Sequence, residues 1–313
     1  MRRAELPRND REDAQEAEPV SALRALLAGV VDYAGLFPPA GLGMAVAVRN
    51  YASYRAHDAS WMLGRFVVPA ARLDEFSTEL KALGEQGAPE WRLSALLGAD
   101  VDGDVERVRK FDREHRGRAC VDSLEGKLVS VDAIRRAAAA AGRGFLLFAE
   151  IPVDADVESL IGAAKDAGVN AKVRTGGVTV DALPSPASVI RFMRCCITED
   201  VPFKATAGLH HAVRGDYRLT YDAAAPIGAM FGFLNVLFAA GLMRNGLSDT
   251  DALRVLDERD PAAFTTTPTT IRWRDAVLDE EQVRSLRDRV LVSFGSCSFI
   301  EPVDELRALV LVP

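Results

Sequence analysis

Charged side chains stand where buried strands should carry none. Glu125 and Lys127 lie two positions apart at the end of one apolar run, and Lys172 and Arg174 at the end of another. Arg65, Asp122, Glu150, Lys204 and Thr206 sit in comparable runs, and His210, His211 and Arg214 follow closely behind Thr206. Side chains alternate along a strand, so both members of an i, i+2 pair share one face. Burying a lysine or arginine there costs free energy unless it pairs or serves a site. Amines, carboxylates and imidazoles crowded together are the material of proton transfer and carbonyl chemistry. The plainer alternative is a set of ion pairs closing the mouth of a scaffold.

The elements that carry these residues follow a rhythm. Strand-length apolar runs at residues 64–69, 92–98, 119–128, 145–152, 170–175 and 202–206 alternate with helical patterns at 71–83, 104–115, 131–141, 157–167 and 187–199. Strands alternating with helices mean βαβ units and a parallel sheet. Near-continuous apolar runs suit strands covered on both faces. Six units in succession favour a (β/α)8 barrel, an α/β fold, over an open doubly wound sheet, which would carry a glycine-rich loop after its first strand. Residues 264–273 and 290–293 are read as strands seven and eight. Two N-terminal helices, over 22–31 and 44–55, then cap or flank the barrel. Residues 230–242, strongly apolar and helical, are core or a subunit interface, which leaves a homo-oligomer open; Asn235 within them satisfies a backbone group or faces the site. Residues 1–18 carry ten charges and read as a disordered tail; residues 19–313 read as one barrel domain.

Composition narrows the classes. The chain has 313 residues, 49% hydrophobic and 27% charged, with a formal charge of −7. An acidic chain without a basic stripe is a poor partner for nucleic acid or an anionic membrane. No apolar run reaches the roughly 18 residues of a membrane span. The four cysteines form no Cys-x-x-Cys pair, and a reduced, cytoplasmic setting follows. His57 and His115 read as surface residues and Cys297 as a buried, inert thiol. Adjacent residues of an extended segment point opposite ways, so one of His210 and His211 enters a site. The loop at 294–299 offers backbone N–H groups and the Ser296 hydroxyl to an anion.

The stretch from Ile161 to Gly177, with Ala167, Gly168 and Lys172, resembles the helix and strand around the Schiff-base lysine of deoxyribose-phosphate aldolases. Val201 to Gly208 resembles that family's next strand, with Lys204 as its second lysine at a similar separation from the first. Cys120-Val121-Asp122 resembles the strand bearing its catalytic aspartate. The resemblance covers residues 120–208. Arg174, Gly177 and the His210–Arg214 segment depart from the family pattern, and the last hundred residues do not match it. The chain as a whole resembles a bacterial family that brings no assigned activity with it. The aldolase resemblance implies Lys172 as the nucleophile. Lys204 and Arg174 would depress its pKa, and Asp122, Glu150 or His210 would pass protons. Arg65, Arg174 or Arg214 would clamp a carboxylate or phosphate, with Glu125, Lys127, Thr206, His211 and Ser296 lining the site. A carbon–carbon lyase acting on a small anionic carbonyl compound is expected, with no cofactor and no metal. Two other readings stand beside it: a metal- or acid–base-dependent isomerase or hydrolase built on His210, Glu125 and Glu150, and a non-catalytic binding or scaffold barrel.

Overall fold

A computed structural model describes residues 21–84 and 89–312; the tail expected over residues 1–18 lies outside them. The Ser21 hydroxyl accepts the Arg24 N–H and caps α1 (Ala22–Leu27), after which the chain enters β1 (Val31–Tyr33). Regular alternation follows: α2 (Met44–Arg55), β2 (Leu63–Pro69), α3 (Leu73–Leu83), β3 (Trp91–Leu96), α4 (Val101–Glu114), β4 (Ala119–Gly126), α5 (Val131–Ala141), β5 (Leu146–Glu150), α6 (Val157–Ala167), β6 (Asn170–Arg174), α7 (Pro186–Glu199) and β7 (Phe203–Thr206). Asp100, Ser130, Asp156 and Ser185 accept backbone N–H groups at the starts of α4, α5, α6 and α7, satisfying donors that a helix start leaves unpaired.

A long excursion then leaves the barrel. It contains the hairpin β8 (Gly215–Arg218) and β9 (Ile227–Met230), then α8 (Phe233–Arg244) and α9 (Asp249–Asp257). The antiparallel sheet β10 (Phe264–Thr266), β11 (Thr270–Trp273) and β12 (Ala276–Asp279) leads into α10 (Glu280–Arg289). The chain returns as β13 (Leu291–Ser296) and ends in α11 (Ile300–Ala308). Eight parallel strands close in the order β1-β13-β7-β6-β5-β4-β3-β2, with β1 pairing β2 to seal the ring. The fold is a (β/α)8 barrel with additions.

Two expectations need correcting. Residues 264–273 are not the seventh barrel strand; they form β10 and β11 of the outlying antiparallel sheet. The strand that completes the count is β1, inside a segment expected to finish a helix. Helix α1 stops at Leu27 because Gly29, at φ +58°, turns the chain. Three residues with an aspartate at their centre show too little apolar periodicity to reveal a strand.

Helix α8 is buried on every side from Phe233 to Met243, as a helix apolar all round must be, so it belongs to the core. Asn235 is the polar member of the buried stretch from Phe233 to Met243 and is fully buried. Its Oδ1 accepts the Arg214 N–H at 2.9 Å, and its Nδ2 donates to the carbonyls of Val255 and Glu258 at 2.7 and 2.8 Å. It therefore serves backbone groups and joins the segment after β7 to the end of α9. Gly232 lets that segment close: a Cβ there would stand 2.4 Å from the Ala212 carbonyl oxygen. Because the Arg214 N–H and the Glu258 carbonyl would lose their partner, Asn235→Ala should destabilise the protein by about 2–4 kcal/mol, read from the midpoint of urea unfolding at neutral pH.

Candidate active site

The interior of the barrel is ionic where most barrels are filled by branched apolar side chains. Register places Glu150, Lys172 and Lys204 level with one another on β5, β6 and β7. Alternation turns all three inward, together with Glu125 from β4 and Asp32 from β1. They form one chain of contacts. The Lys204 ammonium donates to Asp32 Oδ2 and to Glu125 Oε1, each at 2.6 Å. Glu125 Oε2 lies 2.8 Å from Lys172 Nζ, and Lys172 Nζ lies 2.9 Å from Glu150 Oε2. Serines fill the remaining acceptor sites: Ser293 donates to Asp32 at 2.7 Å and Ser94 to Glu125 at 2.6 Å.

Each ionised state follows from its neighbours. Burial alone would raise the carboxyl of Asp32, but Lys204 and Arg65 hold it below its ordinary value. Burial would raise Glu125 as well, and Lys172 and Lys204 hold it well below the usual carboxylate range. Burial would lower Lys204, but Asp32 and Glu125 raise it. Crowded cations were expected to leave an amine uncharged. For Lys204 the opposite holds, because two carboxylates contact its ammonium at 2.6 Å each.

Asp32 owes its position to Gly64. A Cβ on Gly64 would stand 2.4 Å from Asp32 Oδ1, so the absence of a side chain lets the carboxylate reach the Arg65 N–H at 2.7 Å.

Above the chain of contacts opens a cavity of about 240 Å³. Lys172, Lys204, Glu125, Arg174, Thr206, His210 and Cys297 contribute its polar lining. Phe37, Val178, Leu219 and Met230 form apolar walls, the last two from the excursion after β7. Glu150 lines a neighbouring groove of about 460 Å³ instead, with Lys127, Asp154 and Asp181. Arg174 borders both spaces.

No family model matches this chain, and no curated protein matches it in sequence. The site therefore has to be read from its geometry.

Several expected members stand elsewhere. Asp122 does not face the lysines. It binds Arg65 Nε at 2.5 Å and Arg92 Nε at 2.8 Å, away from the cavity lining. The acid between the two amines is Glu125, three positions later and turned inward. Arg65 is committed to Asp122 and holds no ligand. Arg214 lies over the Phe231 ring at 4.6 Å and beside Asp257 at 3.3 Å, outside the lining. Lys127 faces only the side grooves.

The two histidines diverge as expected. His210 enters the cavity, while His211 stacks on Tyr217 and contacts Glu305. Ser296 is buried behind His210, 3.3 Å from its Nδ1, and offers nothing to the cavity itself. His115 is not a surface residue: it is buried, stacked on Phe111 and 2.6 Å from Ser77 Oγ.

Asp32, Ser94, Ser293, Glu301 and Tyr221 went unrecognised in the sequence. Asp32 had a signal: it precedes β2 by an interval similar to those that separate the later strands from one another. Glu301 and Tyr221 had none, because they meet His210 and Cys297 only through the fold. His210 Nδ1 lies 3.5 Å from Glu301 Oε2 and 3.7 Å from Cys297 Sγ, and Tyr221 Oη lies 3.3 Å from that sulfur. Burial would depress the imidazole, but Cys297 and Glu301 raise it to about 9. Glu125 and Glu150 are engaged by Lys172 and His210 by Glu301, so these three do not converge as a ligand set. Among the described residues no group of three or more His, Cys, Asp or Glu side chains is placed to hold a metal ion, and no helix is long and apolar enough to cross a membrane.

Two outcomes follow. Glu125→Gln keeps the shape of the side chain but removes the charge both amines share, so it should destabilise the fold by about 3–5 kcal/mol, measured by urea unfolding at pH 7. His210 titrates higher folded than its ordinary 6.5. Its contribution to stability is therefore complete below pH 6.5 and is lost as pH rises through about 9. The urea midpoint should fall across that window, and Glu301→Gln should flatten the fall; an unchanged slope would count against the pairing.

Proposed function

We propose that this protein is a carbon–carbon lyase that binds a small carbonyl compound as a Schiff base on Lys172. One observation carries the reading: a buried carboxylate, Glu125, touches two buried amines at 2.6 and 2.8 Å, and both amines line one cavity. A scaffold gains nothing from such an arrangement at the floor of a pocket, since apolar residues would close the barrel at no desolvation cost.

The chemistry closes with these groups. The Lys172 ammonium passes a proton to Glu150, and the freed amine attacks the carbonyl carbon. A C–N bond forms as the C=O π pair moves to oxygen. Proton transfer from nitrogen to that oxygen leaves a neutral carbinolamine. Lys204, held charged by Asp32 and Glu125, protonates the hydroxyl, which departs as water and leaves an iminium. The bond between the α carbon and the hydroxyl-bearing β carbon then breaks, its electron pair forming the C=C bond of an enamine as the C=N pair moves to nitrogen, and the β-hydroxyl proton returns to Lys204 as the β carbon leaves as a carbonyl. Protonation of the enamine carbon and hydrolysis release the second product and restore the amine. Preorganised charges in a low-dielectric cavity stabilise the iminium-forming steps without reorganisation. The resemblance to deoxyribose-phosphate aldolases points the same way for Lys172 and Lys204. In this reading Glu125 takes the place between the amines that the resemblance had given to Asp122.

Borohydride reduction tests this. Incubated with small aldehydes and ketones, the protein should gain a stable adduct mapping to Lys172, seen by intact mass and peptide mapping. Lys172→Met should abolish it, and Lys204→Met should slow its formation by roughly 10²-fold or more. Adducts scattered over surface lysines, or none at all, would overturn the proposal and leave an acid–base enzyme or a binder.

A further inference from the structure

Among the described residues four cations face the cavity, and three have a carboxylate partner. Lys204 has Asp32 and Glu125, Lys172 has Glu125 and Glu150, and His210 has Glu301. Arg174 has no hydrogen-bond or ion-pair partner among the described residues, yet it borders the cavity. It stands two positions beyond Lys172 on β6, so the two side chains leave the same face of the strand, displaced by roughly 6.6 Å along it.

We infer that Arg174 binds a carboxylate of the substrate, which makes the substrate class a short oxo acid whose carboxylate lies a few bonds beyond the reacting carbonyl. The inference rests on the Schiff-base reading for the position of the carbonyl. The unmatched guanidinium itself does not depend on that reading.

Charge and shape agree on this class. Among the described residues, Arg174 is the one cation of the lining without a carboxylate beside it, and its single charge matches that of a carboxylate. A guanidinium presents a fork that fits the two oxygens of a carboxylate in bidentate fashion. Phe37, Val178, Leu219 and Met230 give the cavity apolar walls, which suit an aliphatic chain between the carbonyl and the carboxylate. A volume of about 240 Å³ limits the ligand to a small molecule. Arg174 also meets the solvent-open groove beside Glu150, so a carboxylate enters from water without crossing the apolar walls.

The probe is 4-oxopentanoate, compared with its methyl ester, which keeps the carbon chain and loses the charge. Calorimetric titration should show the acid binding roughly tenfold or more tightly than the ester. In Arg174→Gln that preference should vanish, while affinity for the ester stays unchanged. Arg174 is solvent-exposed, and the circular dichroism and urea midpoint of the variant should match those of the parent. Equal binding of acid and ester, a preference that survives in Arg174→Gln, or no binding of either would overturn the inference. Borohydride trapping of the same acid is read separately. Arg174-dependent binding without an adduct would sink the Schiff-base reading and leave the carboxylate site standing.

Discussion

The Glu125 carboxylate between two ammonium groups is the contact on which the barrel interior depends. An ionised carboxylate taken from water to such a depth is strongly disfavoured unless its charge is matched and its lone pairs are occupied. Lys172, Lys204 and Ser94 supply both conditions. Lys204 needs a second carboxylate in turn, and Asp32 provides it from β1, two strands along the ring. The geometry of one site residue thus depends on a strand that is not its hydrogen-bonded neighbour. That accounts for a strand as short as β1: its work is to deliver one carboxylate, and its neighbours β2 and β13 hold it in register.

Formal charges in the interior nearly cancel. Along the chain of contacts from Asp32 to Glu150, three carboxylates face two ammonium groups, leaving one negative charge. Arg65 and Arg92 around Asp122 leave one positive charge next to it. The surplus carboxylate, Glu150, is the member with access to water: its side chain is 17% exposed, against 1% for Lys204 and Glu125. Charge that the interior cannot balance has been moved to the edge, where solvent screens it. The same edge position gives a proton a way out.

Much of this was legible from residue order. Strand-length runs at a regular interval marked six of the eight barrel strands, and the i, i+2 pairing of Lys172 with Arg174 placed both on the inner face. Lys172, Lys204, Glu125, Glu150 and His210 were recognisable because charge inside or just beyond an apolar run is anomalous on its own strand. What stayed hidden is physical in origin. Periodicity needs several residues to register, and β1 is too short to show any. Asp122 and Glu125 lie on the same strand and are equally acidic. Only the inward turn of one and the Arg65–Arg92 clamp on the other separate them, and the clamp joins three strands. Glu301 reaches His210, and Tyr221 reaches Cys297, from segments far apart along the chain, and at such separations sequence carries no record of contact. The threonine-rich run at β10 and β11 has genuine β propensity; its partner is β12 rather than the barrel, and propensity does not name partners.

The two openings beside Lys172 divide the traffic of the site. In the proposed reaction, a carbonyl compound filling the cavity would displace water from Lys172, Lys204 and Glu125, which would strengthen every electrostatic contact there. If the cavity were the sole route to solvent, the proton leaving Lys172 would be trapped by the ligand whose attack requires its departure. Glu150 resolves the conflict. It contacts the amine at 2.9 Å yet faces the groove lined by Lys127, Asp154 and Asp181, so that proton exchange continues while the cavity is occupied. Placing the last carboxylate of the chain of contacts in the side groove thus serves charge balance and, in the proposed reaction, proton transfer at the same time.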